Sequence, residues 1–154
     1  MTLRSLSRTV RAGFTLIELL LVIGIIAILA SIVIVAINPT KQLGSARDAQ
    51  RHSDVNTIVN AVYQYAIDKN ALPSTIPTAS TLAKSICKTT AAAADWTGCV
   101  NLRMLSGTYI VSVPNDPQIA SGTGYTGYMI YSENSRVTVR APKGEQDSNI
   151  YVTR

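Results

Sequence analysis

The sequence is poor in the side chains that carry out most enzyme chemistry. It has one histidine, His52, and two cysteines, and it contains no Walker loop and no glycine-rich dinucleotide turn. Because two cysteine ligands alone do not satisfy zinc, the pair favours a disulfide over a metal site. A serine–lysine pair at Ser85 and Lys88 has the S-x-x-K spacing but lacks its companion motifs. We therefore expect no enzyme, no catalytic residue and no cofactor.

Charge is absent from one long segment near the N-terminus. Leu19–Ile37 holds no charged residue, and only a glycine and a serine interrupt its aliphatic side chains. About 20 such residues cross a hydrocarbon core about 30 Å thick. Before the segment lie three arginines and no acid within the first thirteen residues: Arg4, Arg8 and Arg11. By the positive-inside rule, this charge predicts a cytoplasmic N-terminus with the bulk of the chain outside the cytoplasm.

An acid at the entrance of the apolar segment separates three interpretations of it. A cleaved secretory signal would have a shorter apolar core and a small-x-small site, but the best cut, after Ala30, places Ile28 two residues earlier. An uncleaved signal anchor fits the length and the charge, but it does not explain Glu18. A carboxylate at the edge of a membrane helix marks a functional partner.

The residues around Glu18 resemble a known leader. Gly13–Leu20, GFTLIELL, is similar to the class III leader junction of type IV pilins and of the pseudopilins of type II secretion. The resemblance extends over residues 8–37, with the arginine-rich leader before the junction and the aliphatic run after it. It implies that a prepilin peptidase cuts between Gly13 and Phe14 and that Phe14 is then N-methylated. It also implies an inner-membrane assembly platform with its ATPase.

The chemistry of the junction suggests why each residue is present. Gly13 has no side chain, so an extended backbone enters a protease site without a Cβ clash. Cleavage gives Phe14 a cationic amine, which methylation preserves. We hypothesise that Glu18 of one subunit pairs with the Phe14 amine of the next, which offsets the cost of burying each charge and fixes the axial register.

The rest of the chain predicts an α+β, pilin-like fold, in which a long N-terminal helix packs on a small antiparallel sheet of three to four strands. Proline at Asn38-Pro39 predicts a kink or break. Helical periodicity resumes over 41–70 with one apolar stripe and with charged residues on the other faces. The expected parts are a cleaved leader (1–13), a transmembrane and assembly helix (14–37), its amphipathic continuation (38–72) and a globular head (73–154).

Turn-forming residues divide the globular head into short predicted elements. Residues 74–108 predict turns with short helical pieces, including the alanine run at 91–94. Beyond them, the alternating patterns predict strands, which are Tyr109–Val113, Tyr125–Tyr131, Arg136–Arg140 and Ile150–Thr153.

Two sets of residues in the head are candidate sites. In an extracytoplasmic domain, Cys87 and Cys99 predict a disulfide, which stabilises the chain by at most ~3 kcal/mol for so short a loop. Asp116, Glu133 and Asp147 are candidate calcium ligands, since some major pseudopilins bind calcium near a similar Pro-x-Asp-Pro turn. No spacing joins these acids, so solvated acids and no metal site are expected.

The sequence thus predicts a structural subunit of a type IV pilus-like filament that forms a helical homo-oligomer. Before assembly it would be a single-pass membrane protein in contact with lipid; afterwards it would lie in an extracellular pilus or a periplasmic pseudopilus. One alternative is a pseudopilin of a type II secretion system, and another is a monomeric, signal-anchored binding domain. Nucleic acid is not an expected partner, because the basic residues of the head form no cluster interleaved with aromatics.

Overall fold

A computed structural model describes residues 13–88 and 98–154 of the chain. It divides into two compact units, Met1–Pro39 and Thr40–Arg154, which we call the N-terminal unit and the C-terminal unit. The first helix, α1, spans Leu16–Ile37, and none of its residues is buried. The second helix, α2, spans Pro39–Lys69, and four antiparallel strands follow it along the chain.

The predicted interruption between the helices is present at Asn38. This residue closes α1 in the left-handed conformation, with φ 46°, and Pro39 begins α2. Asparagine tolerates this conformation, and proline is suited to a helix start because its missing N–H would have no partner there. Asn70, with φ 55°, ends α2 in the same way, so the helix stops before the Leu72-Pro73 signal.

The sheet has the order β1-β2-β3-β4, with every neighbouring pair antiparallel. Its strands are β1 (Lys84–Cys87), β2 (Tyr125–Glu133), β3 (Arg136–Ala141) and β4 (Ile150–Thr153). In β2, every second residue from Thr126 to Ser132 is buried, as expected when one face of a sheet covers a core. The predicted α+β fold, helix on antiparallel sheet, is confirmed.

The apolar stripe of α2 supplies one wall of the core. Val55, Ile58, Val59 and Val62 are almost completely buried, while Ala66 is only partly buried. They belong to one cluster with the inward side chains of the sheet, including Tyr128, Ile130, Val137 and Val139. Burying a valine or isoleucine stabilises the fold by about 1.5–3 kcal/mol.

The strand predicted at Tyr109–Val113 is wrong, and Lys84–Cys87 forms a strand instead. The backbone at 109–110 closes a local turn, because the N–H groups of Tyr109 and Ile110 both donate to Leu105 O. Val111 is 93% exposed despite its strand propensity. The short β1 is instead held by pairing with β2 and by bonds to Val100. The alanine run at 91–94 lies outside the described residues.

Candidate processing and assembly site

Gly13 and Phe14 lie just before the first helix, in non-helical backbone. Both are exposed, and Phe14 keeps 82% of its surface accessible. A Cβ added at Gly13 would meet no atom within 4 Å. The described fold therefore makes no packing demand for glycine at this position, and a larger residue would not disturb the chain's own contacts.

Thr15 and Glu18 form a capping box at the start of α1. The Thr15 backbone N–H and the Thr15 hydroxyl both donate to Glu18 Oε2, at 2.8 and 2.7 Å, and the Glu18 N–H donates to Thr15 Oγ1 at 3.3 Å. Such reciprocal bonds satisfy N–H groups that a helix start leaves without partners. Within the residues described, Glu18 Oε1 has no hydrogen bond, so one carboxylate oxygen is available to an external donor.

The α1 helix presents an apolar surface along its whole length. It has 22 residues, all exposed, and is long and apolar enough to cross a membrane by length and composition. At 1.5 Å per residue it extends ~33 Å, close to the thickness of a hydrocarbon core. Its serine, Ser31, donates to Ile28 O at 2.7 Å and so satisfies its own hydroxyl within the helix.

A comparison with protein families matches residues 8–34 to the prokaryotic N-terminal methylation motif. The chain carries the class III leader of type IV pilins and pseudopilins. The resemblance predicted from Gly13–Leu20 is thereby confirmed. Comparisons with curated proteins and with solved structures found no significant match.

This leader has general consequences for a pilin or pseudopilin. It implies processing by a prepilin peptidase and assembly into a filament. The apolar α1 near the N-terminus fits a single-pass membrane anchor.

The C-terminal unit of this pilin-like chain contains a buried ionic cluster that the sequence did not predict. Arg51 is completely buried, although helical periodicity placed it on a polar face. Its guanidinium donates to Asp116 at 2.7 and 3.3 Å, to Asp48 at 2.7 Å and to Gln118 at 2.8 Å. A third carboxylate, that of Glu145, accepts a hydrogen bond from Arg51 at 3.2 Å and completes the cluster. Hydrogen bonds to Asp116, opposed by burial, raise the pKa of Arg51.

Asp48 connects the cluster to the loop between β3 and β4. Its carboxylate accepts hydrogen bonds of 2.6–3.1 Å from the consecutive N–H groups of Glu145, Gln146 and Asp147. Burial raises the pKa of Asp48, but these backbone bonds and the one from Arg51 outweigh it and lower the pKa well below its usual range. The carboxylate of one helix residue therefore orders the loop, with Arg47 binding Glu145 beside it at 2.6 Å.

We expect this link to make folding stability depend on pH. Since the folded-state pKa of Asp48 is lowered, its contribution is present above the unfolded pKa of about 3.9 and lost as pH falls below it. Asp48→Asn should cost about 2 kcal/mol above pH 5, because it weakens charge-assisted bonds. Urea unfolding of the detergent-solubilised full chain should show this gap narrowing below pH 4. A gap that stays constant down to pH 2.5 would contradict the assignment.

The calcium candidates do not come together. Asp116 is buried against Arg51, which corrects the expectation of a solvated acid. Glu133 accepts from the Ser80 hydroxyl at 3.3 Å, and Asp147 lies 3.2 Å from His52 Nε2. No group of three or more histidine, cysteine or acidic residues suited to a metal occurs in 13–88 and 98–154. The nearby Gly127, with φ 91°, is constrained by the same turn, since a Cβ there would lie 2.7 Å from Asp116 Cβ.

The predicted disulfide is present. Cys87, the last residue of β1, is bonded to Cys99, with the Cα atoms 5.3 Å apart. The backbone reinforces the crosslink, because Cys87 N donates to Val100 O and Val100 N donates to Ser85 O. The disulfide therefore ties the edge strand to the segment around Cys99 and Val100.

Proposed function

We propose that the chain is a structural subunit of a type IV pilus-like filament. It is made as a membrane-anchored precursor, cut between Gly13 and Phe14, methylated at Phe14 and polymerised through α1. The observation that carries this proposal is the methylation motif over 8–34, which coincides with a helix that has no buried residue. Among the described residues, none of the side chains of α1 is buried, so we infer that this apolar surface is covered by lipid or by other copies of the helix.

Assembly removes α1 from lipid and places it among copies of the same helix. Because lipid solvates aliphatic side chains as well as another helix does, the gain must come from packing, from polar pairing and from the ATPase of the platform. The Thr15–Glu18 capping box supports a specific order of events. Before assembly, Thr15 satisfies one Glu18 oxygen within the subunit; in the filament, the second oxygen accepts the Phe14 amine of a neighbour.

The contact between such subunits is heterologous, because the amine of one copy meets the acid of another. A heterologous contact that does not close into a ring gives an open helical polymer. The repeated pair also sets the axial offset, since a shift of one helical turn would bury both charges without partners. We therefore assign Phe14 and Glu18 a joint role in register.

Processing is tested by substitution at the cleavage position. Gly13→Val should block cleavage, because its branched side chain would clash in a protease site that accepts an extended glycine. Since a Cβ at Gly13 meets nothing within 4 Å, the fold should be unaffected. Intact-mass analysis of membrane extracts from cells with a prepilin peptidase should show the variant with its leader retained.

A second glycine provides the control for that experiment. Gly24 lies within α1, and a Cβ there also meets nothing within 4 Å. Gly24→Val should be processed like the wild type, giving a mass that corresponds to a chain starting at N-methylated Phe14. Normal processing of Gly13→Val would contradict the assigned cleavage site.

A second candidate function is a pseudopilin of a type II secretion system. The turn at Pro114–Pro117 favours it, because this turn is similar to the Pro-x-Asp-Pro turn of major pseudopilins. In this chain Asp116 anchors the turn to α2 through Arg51. Deleting the gene separates the two functions: loss of surface filaments supports the pilus, whereas loss of exoprotein secretion with filaments intact supports the pseudopilin.

A further inference from the structure

A cleft of about 460 Å³ lies on the face of the sheet that is turned away from the core. It is lined by Tyr131 on β2, Arg140 on β3, Tyr151 on β4, and Ser148 and Asn149 of the loop before β4. Arg140 and Tyr151 are direct cross-strand partners, and Tyr131 lies diagonally from Arg140. The volume is in the range of about 300–1,000 Å³ typical of small-molecule sites.

The charge of the cleft is of one sign. Among the residues the structure describes, its lining holds a single cation, Arg140, and no carboxylate. The guanidinium is exposed, and the one hydrogen bond described for it goes to Met129 Sδ, at 3.4 Å. A thioether is a poor acceptor, so the arginine keeps most of its capacity to bind an anion.

The ionic cluster explains why the neighbouring acids do not neutralise this arginine. Glu145 and Asp147 belong to the same loop as Ser148 and Asn149, but they contact Arg47 and His52 of α2. Asp48 fixes the loop in this orientation through its backbone N–H groups. The acids of the loop are therefore engaged by the helix, and the neutral Ser148 and Asn149 line the cleft.

We propose that the cleft binds an oligosaccharide that carries a carboxylate. The carboxylate would bind the Arg140 guanidinium, for which a bidentate pair is the preferred geometry. The sugar ring would lie against Tyr131 or Tyr151, whose rings offer amphipathic contact area at low cost in conformational entropy. In the described part of the chain, the side chains of Ser148 and Asn149 make no internal hydrogen bond and can bind sugar hydroxyls. This site does not depend on filament assembly.

Single-stranded nucleic acid fits the cleft less well. A protein that follows a phosphate backbone uses a positively charged groove together with stacked aromatics. The next arginine on this face, Arg136, lies directly opposite Glu133 in the sheet register, which offsets its charge. One available cation suits a polymer with one carboxylate per repeat.

The test measures binding of three probes to the full chain in detergent micelles by saturation-transfer NMR and titration. A hyaluronan hexasaccharide, which alternates glucuronate and N-acetylglucosamine, should bind at least about 10-fold more tightly than the neutral hexamer of N-acetylglucosamine, because charge-assisted bonds are the stronger ones. An oligothymidylate of matched length should bind more weakly than hyaluronan.

Substitutions then assign the binding to the cleft. Arg140→Gln should lower hyaluronan affinity at least about 10-fold, to the level of the neutral hexamer, and Tyr151→Ser should also weaken it. Arg103→Gln removes an exposed arginine outside the cleft and should leave affinity unchanged. Thermal unfolding of each variant checks that the fold is intact. Absence of hyaluronan binding, equal binding by the Arg140→Gln variant, or tighter binding of oligothymidylate would each overturn the proposal.

Discussion

Glu18→Ala should reduce the amount of assembled filament roughly 100-fold, because it leaves each Phe14 amine without its acid in an apolar bundle. Removing one partner of a buried ion pair costs about 3–5 kcal/mol, which corresponds to two or more orders of magnitude in an equilibrium. The precursor should still insert and be cleaved, since α1 loses its capping box but becomes more apolar along its length. The measurement compares the chain sheared from cells with the chain that remains in membranes.

Two further variants separate charge from other effects of the substitution. Glu133→Ala removes an exposed glutamate at the end of β2 and should assemble like the wild type. Thr15→Val removes the hydroxyl donor to Glu18 but keeps the backbone donor, so it should reduce assembly less than Glu18→Ala does. If Glu18→Ala filaments form at wild-type levels, Glu18 has no role in register.

Arg51→Met should destabilise the C-terminal unit by about 3–5 kcal/mol, because Asp48 and Asp116 would remain buried without their cation. The hydrogen bonds to Gln118 and Glu145 would be lost at the same time. Urea unfolding of the full chain in detergent, followed by circular dichroism, measures this loss.

Matched variants show whether the loss comes from buried charge. Arg103→Met replaces an exposed arginine and should change stability by less than about 0.5 kcal/mol, as surface substitutions generally do. Adding Asp116→Leu to Arg51→Met removes one stranded carboxylate and should recover part of the loss. If the stability lost in the double variant equals the sum of the losses in Arg51→Met and Asp116→Leu alone, the two residues are not coupled and this explanation is wrong.

The features that depend on local sequence were predictable. The apolar run predicts the first helix, and the proline after Asn38 predicts the break. Both predictions hold because each signal acts on the backbone of adjacent residues. The leader motif likewise consists of adjacent residues. These signals predict the processing junction without reference to the rest of the fold.

The ionic cluster could not be predicted, because its members are distant in sequence. Asp48 and Arg51 are close on α2, but Asp116 and Glu145 come from loops that only the folded sheet brings to them. Periodicity assigns a charged helix residue to solvent, and only the tertiary partner reverses this assignment. The burial of Asp116 likewise has no signal in the sequence next to it.

The wrong strand prediction in the head has a related cause. Tyr109–Val113 has the composition of a strand, but its backbone bonds are closed within the turn. Lys84–Cys87 has little strand signal, and it forms an edge strand because β2 offers a partner and a disulfide holds its end. Strand propensity reports fit to a pleated surface, so the available partner decides.

If processing converts the membrane protein into a polymer subunit, intact-mass analysis of filaments sheared from the cell surface should detect the processed form. We expect a chain that starts at Phe14, carries one added methyl group and retains the Cys87–Cys99 disulfide. This expectation is contradicted if the sheared fraction lacks the chain and all of it stays in the membrane with Met1 and its leader attached.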